Sequence, residues 1–196
     1  MNPLNSVKGA ITTAFVLAVI VSIALTVWAG GDVGLHGAAA ALLGRWLHIL
    51  SGVMWIGLLW YFYFVQIPSM PKIPDEQKPA IGKVIAPTAL FWFRWAALTT
   101  VVTGLLLAAM NEYITQALTF QPGVRWIGTG MWMALVMAFN VWFIIWPNQK
   151  KVLGIVTVDA PAKAAAAKMA GMASRINTML SIPMLYCMAA QSHGGF

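Results

Sequence analysis

Three histidines are the residues of this sequence best suited to hold a metal or a cofactor. The chain contains His36, His48 and His193, and a single cysteine, Cys187. Imidazole is a common ligand of iron, copper and zinc. One cysteine cannot form an internal disulfide, and it cannot supply the several thiolates of a zinc ribbon or an iron–sulfur site. The histidines are far apart in sequence, so the surrounding elements determine whether they meet.

The composition predicts what those elements are. Of the 196 residues, 60% are hydrophobic and 9% are charged, whereas soluble domains carry ~25% charged residues. So few charges cannot cover a soluble fold, and we predict an integral membrane protein with a single domain over residues 1–196. The net charge of +7 lies in short loops between apolar runs, where it faces anionic lipid headgroups rather than nucleic acid.

Five apolar runs are long enough to cross a hydrocarbon layer of ~30 Å as helices. The predicted spans lie near 10–30, 45–66, 88–110, 125–147 and 173–191. Asp159, Pro161 and the alanine-rich stretch that follows predict a cytoplasmic helix over 160–172 that continues into the last span. The predicted fold class is therefore all-α, as a bundle of five transmembrane helices.

The distribution of cations predicts the orientation of this bundle. Ten of the twelve lysines and arginines lie near one end, and only Arg45 and Arg125 lie at the other. The positive-inside rule places the crowded end in the cytoplasm. We therefore predict a multi-pass protein of a bacterial inner membrane, with a cytoplasmic N-terminus and a periplasmic C-terminus. All three histidines then fall on the periplasmic side.

This outer layer contains the groups that a b-type haem requires: imidazoles, small residues beside the porphyrin edge, and cations for its propionates. His48 has Gly44 and Gly52 one turn away on the same helix face, which predicts a smooth groove beside the imidazole. His193 is predicted as the second ligand, with His36 as its substitute. The predicted cofactor site comprises His48, His193, His36, Gly52, Arg45 and Arg125, with His48 and His193 as the metal ligands.

These residues also have interpretations without haem. A histidine near a helix end is often interfacial and bonded to a carbonyl or to water, and glycines also allow helices to approach each other closely. Met184, Cys187, Met188 and His193 have the chemistry of a soft copper site, although such spacing is frequent by chance in this composition. The sequence leaves these alternatives open.

A second polar group lies nearer the cytoplasmic side. Arg94, Asn140 and Asn177 fall at similar depth in spans three, four and five, and no acidic residue lies deep in any predicted span. One prediction is that Arg94 extends its aliphatic stem towards the headgroups. The other is that the three side chains form a polar cluster that holds the helices in register. Both roles are structural.

Three stretches of the sequence together resemble a known family. They are Arg45–Gly57, Asn140–Lys150 and Ser174–Pro183, which read RWLHILSGVMWIG, NVWFIIWPNQK and SRINTMLSIP. In combination they resemble the membrane domain at the N-terminus of bacterial cytochrome c-linked urate oxidases, the urate oxidase N-terminal-like family. The resemblance implies electron transfer towards a c-type cytochrome on the outer face, with His48 as a haem or redox site. It also implies a structural role for Arg175, Asn177 and Thr178.

These observations predict a small redox-associated membrane subunit. It would bind haem b and exchange electrons with a c-type cytochrome or with a larger respiratory or photosynthetic complex. The alternative is a non-catalytic accessory subunit of a membrane assembly, without a cofactor. A urate-oxidising enzyme is the third hypothesis, less favoured because we expect this chain to have fewer spans than the urate oxidase form and no cytochrome domain. The predicted partners are the lipid bilayer, other membrane subunits or a c-type cytochrome, and no nucleic acid; whether the chain is an enzyme stays open.

Overall fold

A computed structural model of the chain describes residues 6–31 and 38–192, and all regular secondary structure in these ranges is helical. The predicted all-α class is therefore confirmed. The chain divides into two compact units, Met1–Leu42 and Leu43–Phe196. The single domain predicted over residues 1–196 stays a prediction.

The main helix of the first unit is α1, Val7–Trp28. The side chain of Ser6 caps it by accepting a hydrogen bond from the Gly9 amide at 3.0 Å, which satisfies one of the free donors of the first turn. None of the side chains of α1 is buried. At 22 residues it is about 33 Å long, which is enough to cross a bilayer core.

Most of the remaining described helices are long. Several of them pass from α-helical to π-helical or 3-10 turns without a break in the helix. Helix α2 comprises Ala38–Trp60, Tyr61–Gln66, Ile67–Ser69 and Met70–Lys72. Helix α3 comprises Lys78–Ala80, Ile81–Ile85 and Ala86–Met110, and the short α4 is Ile114–Leu118. Helix α5 comprises Arg125–Phe139, Asn140–Ile145 and Trp146–Val152, and α6 is Ala160–Ser192.

Three of these helices contain a π-helical stretch just ahead of a proline. The π stretches are Tyr61–Gln66 before Pro68, Ile81–Ile85 before Pro87, and Asn140–Ile145 before Pro147. Proline has no amide hydrogen, and its ring clashes with the carbonyl four residues earlier. That carbonyl lies inside the π stretch in each case. The wider turn relieves the clash, so the helix continues through the proline instead of ending there.

The core of the second unit lies where α2, α3, α5 and α6 meet. Trp55 and Leu59 of α2 and Met137 of α5 are fully buried there. Helix α6 packs along α5 for most of its length. Large apolar side chains also cover the outside of the bundle; Phe143 and Met179, for example, are 68% and 66% exposed, as expected for surfaces that face lipid.

Four helical runs of the described residues are long and apolar enough to cross a membrane, which supports the predicted membrane protein. They are Val7–Trp28, Ala40–Lys72, Lys78–Met110 and Arg125–Val152, and they match the first four predicted spans. The fifth predicted span is not among them. It forms one continuous helix, α6, with the predicted cytoplasmic segment, and the Asp159 carboxylate caps this helix by accepting a hydrogen bond from the Ala162 amide at 2.8 Å. Five spans and the orientation of the termini stay predictions.

Candidate functional site

His48 is anchored to the neighbouring helix through one of its two ring nitrogens. Its Nδ1 lies 2.9 Å from the carbonyl oxygen of Thr100 and 3.2 Å from the hydroxyl oxygen of Thr103, both on α3. A carbonyl oxygen can only accept, so Nδ1 carries the hydrogen and donates it. In the neutral imidazole the free lone pair therefore lies on Nε2. This arrangement is the one that metal-ligating histidines generally use to fix their orientation.

Gly104 makes the close approach of the imidazole to α3 possible. A Cβ atom at position 104 would lie 2.9 Å from Cε1 of His48, closer than two carbon atoms approach without a shift. The hydroxyl of Thr103 donates to the Thr99 carbonyl at 2.6 Å, so its oxygen is held in place beside Nδ1. The ring is thus confined by Gly104 and held by Thr100 and Thr103.

The two glycines predicted to open a groove beside His48 face α3 instead. A Cβ at Gly44 would lie 3.2 Å from Cδ2 of Leu107, and one at Gly52 would lie 3.9 Å from the methyl group of Thr100. Gly44 therefore allows α2 and α3 to pack closely, as small residues do between membrane helices, whereas a Cβ at Gly52 would make only an ordinary contact.

The space beside His48 is a small apolar cavity between α2, α3 and α5. Its volume is about 30 Å³, and Gly104, Met131 and Leu135 are among the residues that line it. That volume accommodates about one or two water molecules, whereas cofactor sites measure ~300–1,000 Å³. The donor chemistry of His48 suits an axial haem ligand, but a porphyrin does not fit between these described helices.

Of the two arginines predicted to meet haem propionates, Arg125 is the first residue of α5 and Arg45 lies within α2, near its N-terminal end. Nε of Arg125 donates to the Phe120 carbonyl at 3.2 Å. Arg45 lies close enough to Tyr113 for its charge to act on the phenol. Burial raises the pKa of Tyr113 above its ordinary value, and the positive charge of Arg45 opposes this rise. Neither observation tests a role in binding propionates.

His36 and His193 lie outside the described residues, so the predicted second ligand is not placed. Met184 and Cys187, from the alternative copper site, are both buried in the bundle. The described part of the chain contains no group of three His, Cys, Asp or Glu side chains that could hold a metal ion.

The structure brings two of the three predicted inner polar residues together. Nδ2 of Asn140 donates to Oδ1 of Asn177 at 2.8 Å, and Nδ2 of Asn177 donates to the Met137 carbonyl at 2.9 Å. Arg94 does not join them through any hydrogen bond that we observe in the described residues. Its guanidinium lies over the ring of Trp146, 3.8 Å from the centroid, as a cation–π contact. An asparagine pair and a separate arginine–tryptophan pair thus take the place of a three-residue cluster.

Several residues that position these groups were not among those predicted from the sequence. Thr100, Thr103 and Gly104 share one face of α3 at helical spacing, and that stripe of small residues is a signal that could have identified the face opposite His48. The link between α2 and α6 has no such signal. There, Nε1 of Trp60 donates to the hydroxyl oxygen of Ser181 at 2.9 Å, across a sequence separation that no local pattern covers.

Comparison with protein families relates the second half of this bundle to known proteins. The matching family is urate oxidase N-terminal. The match covers residues 115–195, less than half of the chain, and runs from α4 to near the C-terminus. It includes two of the three stretches that carry the predicted resemblance, NVWFIIWPNQK and SRINTMLSIP, and so confirms it. The stretch RWLHILSGVMWIG, which contains His48, lies outside the matched residues.

No curated protein matches this chain, and no solved structure does either.

Proposed function

We propose that this chain is a small membrane subunit of an electron-transfer assembly in a bacterial inner membrane. In this proposal it works beside a c-type cytochrome or within a larger respiratory or photosynthetic complex. The match of residues 115–195 to the urate oxidase N-terminal family supports the redox association. Four membrane-length helices support its placement in a bilayer.

The observation that carries the redox assignment is the hydrogen bond from His48 Nδ1 to the Thr100 carbonyl, 2.9 Å long. Because Nδ1 carries the hydrogen, the lone pair of the neutral ring is on Nε2, and Nε2 is the atom that would coordinate a haem iron. Thr100 and Thr103 orient the ring, and Gly104 leaves it room. Because the cavity at His48 is only about 30 Å³, we assign no porphyrin to the space between the described helices. The porphyrin would have to be held by further residues of this same chain, beyond the described helices.

A second candidate function is a non-catalytic accessory subunit of the same kind of assembly. The tight packing around His48 favours it, since the imidazole already has a structural task in joining α2 to α3. In that function His48 contributes stability and binds no metal.

We further propose that α6 is a fifth span and that the lysine-rich end faces the cytoplasm. Helix α6 has 33 residues, about 50 Å, which is more than a bilayer core requires. Its less apolar composition agrees with its packing, because Asn177, Thr178 and Ser181 are buried inside the bundle rather than facing lipid. With five spans, the positive-inside rule puts the N-terminus in the cytoplasm and the C-terminus outside.

A reduced-minus-oxidised spectrum with a pyridine haemochrome assay distinguishes the two candidate functions. The purified chain, expressed with haem available, is compared with His48→Gln and with Gly57→Ala. Glutamine can still donate to Thr100 but is a poor haem ligand, whereas a Cβ at Gly57 would meet nothing within 4 Å and leaves His48 unchanged. The redox proposal expects near-stoichiometric haem b in the wild type and in Gly57→Ala, and its loss in His48→Gln. A colourless wild-type protein would overturn it and leave the accessory function.

A further inference from the structure

A large cavity in the described bundle lies at its lysine-rich end, away from His48. Its volume is about 680 Å³, within the range of sites that hold small organic ligands. Gln66 lines this cavity and is 18 residues from His48 along α2, roughly 27 Å. The aromatic and polar side chains of its wall include Phe62, Tyr63, Phe93, Gln66, Gln149 and Arg175.

The irregular helices explain why this end of the bundle is open. Two of the π-helical stretches, Tyr61–Gln66 on α2 and Asn140–Ile145 on α5, contribute residues to the cavity wall. A π turn displaces the helix backbone from its regular path, and such turns are frequent at functional sites. The opposite wall, on α6, is made of small residues such as Ala167, Ala170 and Gly171. Displaced backbones facing small side chains leave the volume unfilled.

One of the side chains that line this cavity has a polar atom without a hydrogen-bond partner among the described residues. Oε1 of Gln66 is buried, and none of the described residues donates a hydrogen bond to it. A buried acceptor without a donor is unusual in a folded protein and calls for a specific explanation. The terminal amide of glutamine turns easily about its last torsion, so this carbonyl can present itself to a donor inside the cavity.

The rest of the wall indicates what kind of molecule would carry that donor. Phe64 and Ile67 belong to the wall and are 56% and 49% exposed, so the cavity borders the lipid-facing surface. Phe62 and Phe93 meet edge to face, with centroids 6.0 Å apart, and present flat apolar surface. Arg175 is the one charged side chain of the described wall. A ligand that fits enters from the bilayer, has a planar ring, and carries both a hydroxyl donor and an oxygen acceptor.

We propose that this cavity binds the hydroquinone headgroup of a membrane quinol. One hydroxyl of the ring donates to Oε1 of Gln66, and the opposite oxygen accepts from Gln149 or Arg175. The aromatic residues lie against the ring, and the alkyl tail leaves past Phe64 and Ile67. A phospholipid headgroup suits the site less well, because a phosphodiester would meet a single cation and a largely aromatic wall. The proposal goes beyond the function proposed for His48 and does not depend on it.

Binding of a decyl-substituted benzoquinol to the full chain in lipid nanodiscs tests the proposal. It is measured by isothermal titration calorimetry under anaerobic conditions. We expect saturable binding to the wild type and about fivefold or more weaker binding to Gln66→Leu, which loses the acceptor. The bis-methyl ether of the probe has no hydroxyl donor, so it should bind the wild type about fivefold or more weakly as well.

A blocking variant and its control make the test independent of Gln66. A side chain at Gly171 would meet nothing within 4 Å, so Gly171→Phe should fold and fill the cavity, and we expect it to abolish binding. Gly57 is equally unobstructed and lies outside the described wall, so Gly57→Phe should bind like the wild type. Wild-type affinity in Gly171→Phe would overturn the proposal. So would equal affinity for the methyl ether, absence of binding to the wild type, or displacement of the probe by short-chain phosphatidylethanolamine. The haem spectrum is unaffected by any of these outcomes, so the two proposals fail separately.

Discussion

Asn140 of α5 and Asn177 of α6 share a buried hydrogen bond, with Nδ2 of Asn140 2.8 Å from Oδ1 of Asn177. Asn177 also donates to the Met137 carbonyl at 2.9 Å, in the last turn before the π-helical stretch that begins at Asn140. Backbone hydrogen bonding changes register there, ahead of Pro147. The asparagine pair therefore joins α6 to α5 at the place where the backbone of α5 is least regular.

Replacing Asn177 should destabilise the bundle. Asn177→Leu leaves the Asn140 amide without its acceptor, and we expect a loss of about 1–3 kcal/mol in the free energy of unfolding. Unfolding in mixed detergent micelles measures it, with Met179→Leu as the control because Met179 is exposed on the same helix. A double-mutant cycle with Asn140→Ala and Asn177→Ala should give a coupling of about 0.5 kcal/mol or more. Simple additivity would show that the pair does not act as a unit.

Gly128 should tolerate no side chain. A Cβ atom there would overlap the carbonyl oxygen of Ala117 on α4, and backbone cannot move aside cheaply. We expect Gly128→Ala to lower the free energy of unfolding by about 1–3 kcal/mol, measured by unfolding in mixed detergent micelles. Gly57→Ala is the matched control, because nothing lies within 4 Å of a Cβ at that position. Equal stability of the two variants would contradict the packing of α4 on α5.

Gly104→Ala should displace the imidazole of His48 from Thr100. The added methyl group would lie 2.9 Å from Cε1 of the ring, so the ring has to turn and its bond to the carbonyl weakens. The nitrogen chemical shifts of the imidazole report this, because they distinguish a ring protonated at Nδ1 from one protonated at Nε2. Gly52→Ala, whose new methyl group would make an ordinary contact of 3.9 Å with Thr100, should leave the shifts unchanged. Unchanged shifts in Gly104→Ala would argue against the anchoring of His48.

The loop between α2 and α3 should show a pH-dependent ion pair. Nζ of Lys78 donates to Oδ1 of Asp75 at 2.6 Å, and this hydrogen bond, aided by the lysine charge, lowers the pKa of Asp75. The pKa of Asp75 is lower in the folded than in the unfolded chain. The ion pair therefore contributes its full stabilisation of the folded state above the unfolded pKa, and this stabilisation is lost as the pH falls through the folded pKa. Lys78→Met should return the Asp75 pKa towards its usual value in a carboxyl NMR titration, while Lys72→Met should not. An identical titration in Lys78→Met would exclude the pair in solution.

The fifth span can be tested with topology reporters. If α6 crosses the membrane, position 75 and the C-terminus lie on opposite sides. Alkaline phosphatase, which is active only outside the cytoplasm, should then be inactive when inserted at Asp75 and active when fused after Phe196. Equal activity at both positions would show that α6 does not span.

The sequence by itself determined the helical class and the positions of four membrane-length helices. The hydropathy of a segment depends only on its own residues, so an apolar run such as that of α1 can be recognised without knowing which helices pack against it. The family resemblance could also be recognised from the sequence, because short stretches such as NVWFIIWPNQK carry it. The π-helical stretches were not predicted, although each of their prolines was visible.

The tertiary structure alone decided which side chains meet. The sequence placed Arg94, Asn140 and Asn177 at one depth, but depth does not fix the direction in which a side chain leaves its helix. Rotation of α3 about its axis puts Arg94 over Trp146, and the same rotation brings Thr100 and Gly104 to His48. Gly44 and Gly52 suggested a groove because a glycine leaves space in isolation. In the bundle α3 occupies that space, since membrane helices gain packing contacts by approaching where side chains are small.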